Sequence, residues 1–163
     1  MRVTISKTDS PARVMVVCAA LIGFVCLVPA MSHLLALPLY KLNPMLLALL
    51  GGLLLLKDRR TVLLLAALLP IFSMVVVGMP TPGRALCMVA ELLTLTALFA
   101  TLEHRMPTFV ALLVAMIASK VVFYGMLALT VAPAVLVGTS LWMQLGVAVS
   151  YAAIYALFSK KRS

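Results

Sequence analysis

Six long apolar runs, interrupted by Pro, Gly and charged residues, constrain the fold of this chain more than any other feature of its sequence. A helix needs about 20 mainly apolar residues to cross a bilayer, and runs near that length recur here. The pattern predicts membrane spans at residues 14–31, 39–56, 61–79, 84–102, 107–131 and 139–158. We therefore expect residues 1–163 to form a single transmembrane domain, an all-α bundle of six helices.

The second run is the least regular of the six, because Asn43 and Pro44 interrupt it. Only residues 44–56 form an uninterrupted apolar stretch. A helix that begins at Pro44 falls short of the length that an upright span requires. We expect this span to be short, tilted or broken near its outer end.

Composition and charge agree with an integral membrane protein. Of the residues, 65% are hydrophobic and 10% are charged, which leaves too little polar surface for a soluble domain. The formal net charge is +9, and ten of the 13 basic residues stand between or beside the apolar runs, at residues 2–13, 57–60, 105 and 160–162. Such clusters mark cytoplasmic loops and contact anionic membrane lipids. Lys41 and Arg84 stand at the edges of the other connections. Both termini are therefore expected in the cytoplasm, and nucleic acid is not an expected partner.

No motif of a catalytic or metal site stands out in the sequence. Residues 78–85 repeat the glycine spacing of a phosphate-binding loop, but Arg84 and Ala85 stand where Lys and Ser or Thr are needed. The three cysteines show no spacing typical of a zinc site or a disulfide framework. We expect a protein that is not an enzyme and has no cofactor, so that energy for any transport comes from another subunit.

Glu91 and Lys120 are opposite charges inside apolar runs. A charge within the hydrocarbon costs about 3 kcal/mol on insertion scales, so such residues face a cavity, a partner or each other. At about 1.5 Å per residue, each lies roughly 10 Å from the outer face of the membrane, on the fourth and the fifth span. Their shared depth on neighbouring antiparallel spans predicts that they lie close together.

Other polar residues converge on the same outer half of the predicted bundle. On the fourth span, Arg84, Cys87, Glu91 and Thr94 recur at spacings of three and four, which places them along one helical face. Polar and aromatic side chains also stand near the outer ends of the second, fifth and sixth spans. The candidate substrate-binding residues are Asn43, Arg84, Cys87, Glu91, Lys120, Tyr124, Trp142 and Gln144.

Two interpretations of this polar set stay open and can coexist. In the first, Glu91 and Lys120 form a buried ion pair that fixes helix packing, while Trp142 and Tyr124 belong to the interfacial aromatic belt. In the second, the set lines a solute cavity that opens to the outside. Lys120 and Arg84 would then attract an anionic group, Glu91 would accept hydrogen bonds, and the two rings would supply apolar surface.

Small residues four apart allow membrane helices to approach closely. Such pairs occur on three of the predicted spans. We expect those on the fifth and sixth spans to pack within the bundle, and the pair on the first span to dock onto another membrane subunit. The residues are Ala111 and Ala115 on the fifth span, Ala148, Ala152 and Ala156 on the sixth, and Ala19 and Gly23 on the first.

Over most of its length the chain resembles the substrate-binding S components of energy-coupling-factor (ECF) vitamin transporters. The likeness includes the size, the six spans, the small-residue motif at Ala19 and Gly23, and the Asn43-Pro44 opening of the second helix. It also includes the turn at 78–83 and residues 118–123, Ala-Ser-Lys-Val-Val-Phe, which look like an Ala-Ser-x-x-Lys-Phe stretch of that family. Gly23 departs from the second Ala of the family motif.

The resemblance implies a high-affinity binder of a vitamin or related micronutrient in a bacterial cytoplasmic (inner) membrane. It implies that the ligand binds near the outer surface, against the third-to-fourth loop and the last three helices. It also implies a transmembrane coupling subunit, docked on Ala19 and Gly23, and cytoplasmic ATPase subunits as partners. Some solitary S components for cobalamin use a cysteine as the cobalt ligand, a role that the resemblance would assign to Cys87.

A competing interpretation is a small scaffold or accessory membrane subunit of a cell-envelope complex, with no role in transport. In that case the polar outer half is a protein interface and needs no ligand. The two interpretations differ in whether a small molecule stabilises the purified protein.

Overall fold

A computed structural model describes residues 10–36, 39–130 and 141–160, and within these ranges the chain contains six α-helices and no β-strand. The helices are α1 (Pro11–Leu34), α2 (Pro44–Leu55), α3 (Arg59–Val77), α4 (Pro82–Leu102), α5 (Thr108–Thr130) and α6 (Leu141–Lys160). A short 3₁₀ helix, Leu39–Leu42, precedes α2. Five of the α-helices are long and apolar enough to cross a membrane. Some of the predicted topology signals lie outside the described residues. They are the basic residues at 2–7 and 161–162 and the uncharged connection at 132–138.

α2 is the exception in length, which confirms the expectation of a short second helix. Its 12 residues extend over about 18 Å, well below the thickness of a hydrocarbon core. Asn43 fixes where it begins: the backbone there is left-handed, with φ 50°, and its Oδ1 accepts a hydrogen bond from the Leu46 amide at 3.3 Å. Pro44 occupies the first helical position, where its missing N–H costs nothing.

The turns beside α3 are equally well defined by local chemistry. Asp58 caps the start of α3, because its carboxylate accepts hydrogen bonds from the Arg60 and Thr61 amides and from the Thr61 hydroxyl. Gly78 ends α3 with a left-handed φ of 75°, a conformation in which glycine has no steric penalty. Pro82 then begins α4.

The apolar core lies between α2, α3, α4 and α5, with α6 closing one side. Leu49, Leu65 and Leu112 are almost completely buried there. Phe99 packs edge-to-face against Tyr155 of α6, with ring centroids 5.4 Å apart. The small residues Ala111, Ala115 and Ala152 are buried as well, as expected for close packing of α5 and α6 within the bundle.

α1 lies at the periphery of the bundle. Of its residues only Val25 and Val28 are buried. Ala19 is exposed, and a Cβ built on Gly23 would meet no atom within 4 Å. Among the described residues, none therefore packs closely at Gly23 of this small-residue pair.

Polar contacts join several helix termini at one end of the bundle, which we call the basic end after Arg13, Lys57, Arg59, Arg60 and Arg105. The Arg13 guanidinium donates to the Leu55 carbonyl at 3.2 Å, so α1 begins beside the end of α2. Arg59 forms an ion pair with Glu103, which ties the start of α3 to the end of α4.

Candidate functional site

A cavity of about 810 Å³ opens at the opposite end of the bundle. It lies between the end of α1, the start of α2, the α3–α4 turn and the facing parts of α4, α5 and α6. Small-molecule sites in proteins enclose roughly 300–1,000 Å³, so the volume suits a ligand of moderate size. We call it the polar cavity, because about half of its lining residues have polar or charged side chains. Those predicted from the sequence are Asn43, Arg84, Glu91, Lys120, Tyr124 and Gln144.

Glu91 and Lys120 meet in the wall of the polar cavity, as their shared depth predicted. The Lys120 ammonium lies 2.7 Å from Oε1 of Glu91. The two side chains differ in exposure: that of Glu91 is 4% exposed and that of Lys120 is 30% exposed. The ammonium also lies 5.3 Å from the centre of the Phe123 ring, within cation–π range. The lysine thus neutralises a buried carboxylate while part of its side chain still faces the cavity.

The face of α4 that borders the cavity consists of Arg84, Met88 and Glu91, at spacings of four and three. Cys87 lies about 60–70° around the helix from this face. It is completely buried, and its Sγ lies 3.6 Å from the Thr130 hydroxyl of α5. The structure therefore places Cys87 in the α4–α5 contact and not among the residues that line the cavity.

Tyr124 and Gln144 connect α5 to α6 at the cavity wall. The phenol oxygen lies 2.8 Å from Oε1 and 2.5 Å from Nε2 of Gln144. The Tyr124 ring also packs edge-to-face on Phe123, with centroids 5.3 Å apart. This hydrogen-bonded pair holds together the ends of the two helices nearest the cavity.

The structure does not bring Trp142 to the polar cavity. Trp142 is 84% exposed on the outside of α6, and it is not among the lining residues. Two residues along a helix turn the side chain by about 200°, so Trp142 and Gln144 occupy nearly opposite faces. The position of Trp142 suits the membrane interface, where tryptophan is enriched.

Several lining residues were not among the predicted site residues. α1 continues three residues beyond the predicted span to Leu34, which brings Ser32 and His33 to the cavity. The signal was available: Val25, Val28 and Ser32 continue one buried face at helical spacing. Ser73 also lines the cavity, and its hydroxyl donates to the Met79 carbonyl at 2.8 Å, which stabilises the α3–α4 turn.

Ser32 differs from Ser73 in its hydrogen bonding. Its Oγ is buried and has no hydrogen-bond partner among the described residues. A buried hydroxyl without a partner costs about 1–3 kcal/mol, so such a group inside a cavity is well placed to bind a polar ligand atom.

Positive charge predominates in the described part of the cavity wall. Lys41, Arg84 and Lys120 carry three positive charges against the single carboxylate of Glu91. The arrangement favours an anionic group beside neutral hydrogen-bonding partners. Within the described residues, no three His, Cys, Asp or Glu side chains form a group that could hold a metal ion.

Comparison with known proteins adds no relative of this chain: no family model, no curated protein and no solved structure matches it.

Proposed function

We propose that this protein is the substrate-binding membrane subunit of an uptake system for a vitamin-like solute with an anionic group, similar to the S components of ECF transporters. The observation that carries the proposal is the polar cavity, where six of the eight predicted binding residues meet around the Glu91–Lys120 pair. A bundle stabilised by packing alone has no need of a cavity of about 810 Å³ lined by charge.

The chemistry of the wall supports an anionic ligand. The exposed part of Lys120 can interact with a carboxylate or phosphate without leaving Glu91, since an ammonium has three donors. Ser32 supplies a hydroxyl with no other partner among the described residues. The Phe123 and Tyr124 rings give apolar surface against which a ring or chain can pack.

The exposed small-residue face of α1 supports a second membrane subunit as partner. Ala19 and Gly23 allow another helix to approach closely, and a Cβ at Gly23 would meet no atom of the described residues within 4 Å. In the proposed system this partner is a transmembrane coupling subunit, and cytoplasmic ATPases supply the energy.

Mass spectrometry of small molecules released from the purified protein tests ligand binding directly. We expect one dominant anionic ligand, and we expect its affinity to fall at least tenfold in Glu91→Gln and in Lys120→Met. Lys160→Met makes the same chemical change at an exposed lysine of α6 and should leave affinity unchanged. A ligand that binds both cavity variants as tightly as the wild type contradicts the proposed site.

Tryptophan substitution tests the docking face. Ala19→Trp and Gly23→Trp should prevent co-purification with the coupling subunit and abolish uptake while the ligand still binds. Phe24→Trp, at an exposed position on another face of α1, is the control. Assembly and uptake that survive both substitutions rule out this face.

The scaffold alternative is favoured by one observation, the direct contact between Glu91 and Lys120, which satisfies both charges without a ligand. A scaffold protein would release no small molecule, would not be stabilised by one, and would co-purify with a fixed envelope partner.

A further inference from the structure

A second cavity, of about 660 Å³, lies between α5 and α6 and reaches α2 and α4. Apart from the residues that it shares with the polar cavity, its wall is apolar except for Ser119. We call it the apolar cavity. The side chains that make it apolar include Leu46, Leu95, Met116, Ile117, Leu145 and Val147.

The two cavities share one partition. Six residues line both of them, among them the Glu91–Lys120 ion pair and the Tyr124–Gln144 hydrogen bond. Each of these residues therefore lines both cavities, and the two cavities meet at this group. A ligand that reaches Lys120 from the polar cavity is already at the edge of the apolar one.

The apolar cavity is also open towards the lipid-facing side of the bundle. Ile117, Val121 and Leu145 line it and are at the same time strongly exposed on the surface of α5 and α6. Gly125 lies beside them, and a Cβ built there would meet no atom within 4 Å. This side of the cavity is thus apolar and exposed, as an entrance for a hydrocarbon chain from the bilayer side requires.

We infer that the ligand is amphipathic, with an anionic group in the polar cavity and a linear apolar chain that passes the partition into the apolar cavity between α5 and α6. The inference rests on the proposed function and names its ligand class. Its physical basis is the continuity of a cationic wall with an apolar one, since each part of the molecule would then lie in matching surroundings. Both a free single-chain amphiphile and an anionic membrane lipid combine an anionic group with an apolar chain in this way.

A series of linear carboxylates from butanoate to dodecanoate, titrated calorimetrically into detergent-purified protein, tests the chain site. Each methylene that enters the apolar cavity should tighten binding about fourfold, so affinity should rise with chain length. Gly125→Leu fills the gap and should remove this dependence while butanoate binding stays unchanged. Gly146→Leu is the matched control, because Gly146 is a helical glycine with equally open space that lines neither cavity. Lys120→Met should weaken all lengths by a similar factor.

Equal chain-length dependence in Gly125→Leu and Gly146→Leu would overturn the inference, as would a wild-type affinity that does not change with length. In either case, butanoate binding that Lys120→Met abolishes still supports the proposed function. If no carboxylate binds the wild type, the inference is overturned, and the ligand-release experiment alone decides the proposed function. A phospholipid released from the wild type but not from Gly125→Leu assigns the chain to bilayer lipid, and a released single-chain anion assigns it to a solute. Both support an amphipathic ligand.

Discussion

Lys120→Met should destabilise the protein far more than Glu91→Gln, although both substitutions remove one charge of the same pair. The reason is unequal burial, since the Glu91 side chain is 4% exposed and that of Lys120 is 30% exposed. Without Lys120, a carboxylate stays buried with no counter-charge. Without the charge of Glu91, the flexible ammonium can turn towards the cavity and keep part of its hydration.

The size of the effect depends on the attraction between the two charges, on the desolvation of the carboxylate and on the exposure of Lys120. Two charges 2.7 Å apart attract by about 6 kcal/mol at an effective dielectric constant of about 20, and desolvation of the carboxylate offsets much of this. Breaking a buried pair costs about 3–5 kcal/mol, and the partial exposure of Lys120 favours the lower value, about 3 kcal/mol. Glu91→Gln retains the shape and a hydrogen-bond acceptor, so we expect about 1 kcal/mol. At about 2–4 °C per kcal/mol, the two variants should lower the melting temperature by about 6–12 °C and 2–4 °C.

Thermal unfolding in one detergent, followed by far-UV circular dichroism, gives the melting temperatures of both single variants and of the double variant. The double variant should recover about 2 kcal/mol of the Lys120→Met loss, because no charge is then left unpaired. Lys160→Met, at an exposed site, should stay within about 0.5 kcal/mol of the wild type. Equal losses for the two single variants, or a double variant as unstable as their sum, would refute the reasoning from unequal burial.

Three further predictions concern packing and helix ends, and thermal unfolding checks each of them. Gly52→Val should cost about 1–3 kcal/mol, because a Cβ at Gly52 would lie 2.7 Å from Cδ2 of Leu65 and the buried Leu65 side chain would have to move in a packed core. Tyr124→Phe removes the hydrogen bond to α6 and should cost about 1 kcal/mol. The pKa of Asp58 is lowered, mainly by the hydrogen bond from the Thr61 hydroxyl. The ionised Asp58 cap therefore stabilises the protein at a pH above the ordinary pKa of an aspartate, and this stabilisation is lost as the pH falls through the lowered pKa of Asp58. Asp58→Asn should therefore flatten the acid limb of the stability curve.

The chain offers a control variant for the packing prediction, and each prediction has an outcome that would contradict it. Gly23→Val, at a glycine with open space around its Cβ, should change stability by less than about 0.5 kcal/mol. A loss equal to that of Gly52→Val would contradict the packing argument. If Tyr124→Phe leaves the stability unchanged, water replaces the phenol as the hydrogen-bond partner of Gln144. An acid limb as steep in Asp58→Asn as in the wild type would show that other carboxylates determine it.

The sequence predicted those features that depend on length and depth. Runs of about 20 apolar residues located the long helices, the Asn43-Pro44 break located the short one, and counting residues from the membrane face brought Glu91 and Lys120 together. Each of these inferences needs only the helical rise and the bilayer thickness, which are the same in every membrane protein.

The features that depend on helix rotation and on the gaps between helices were beyond the sequence pattern. Spacings of three and four allow Cys87 on the same face as Arg84 and Glu91, but packing turned α4 so that Met88 lines the cavity in its place. Helical spacing shows that Trp142 and Gln144 cannot both face the cavity, but packing decides that Gln144 is the one that does. The apolar cavity depends on how far apart α5 and α6 stand, a distance that no periodicity within either helix encodes.

The short α2 has a consequence for the membrane itself. A helix of about 18 Å leaves some 12 Å of a 30 Å hydrocarbon core unspanned, and the polar cavity opens directly above its first residues, Asn43 and Pro44. The cavity thus lies at the N-terminal end of α2, on the side where a full-length span would continue. Lipid beside this missing segment must thin or tilt to cover the mismatch, which shortens the path from water to a charge pair deep in the bundle. A second helix that continued through Asn43 and Lys41 would change the wall of the polar cavity, because both residues line it.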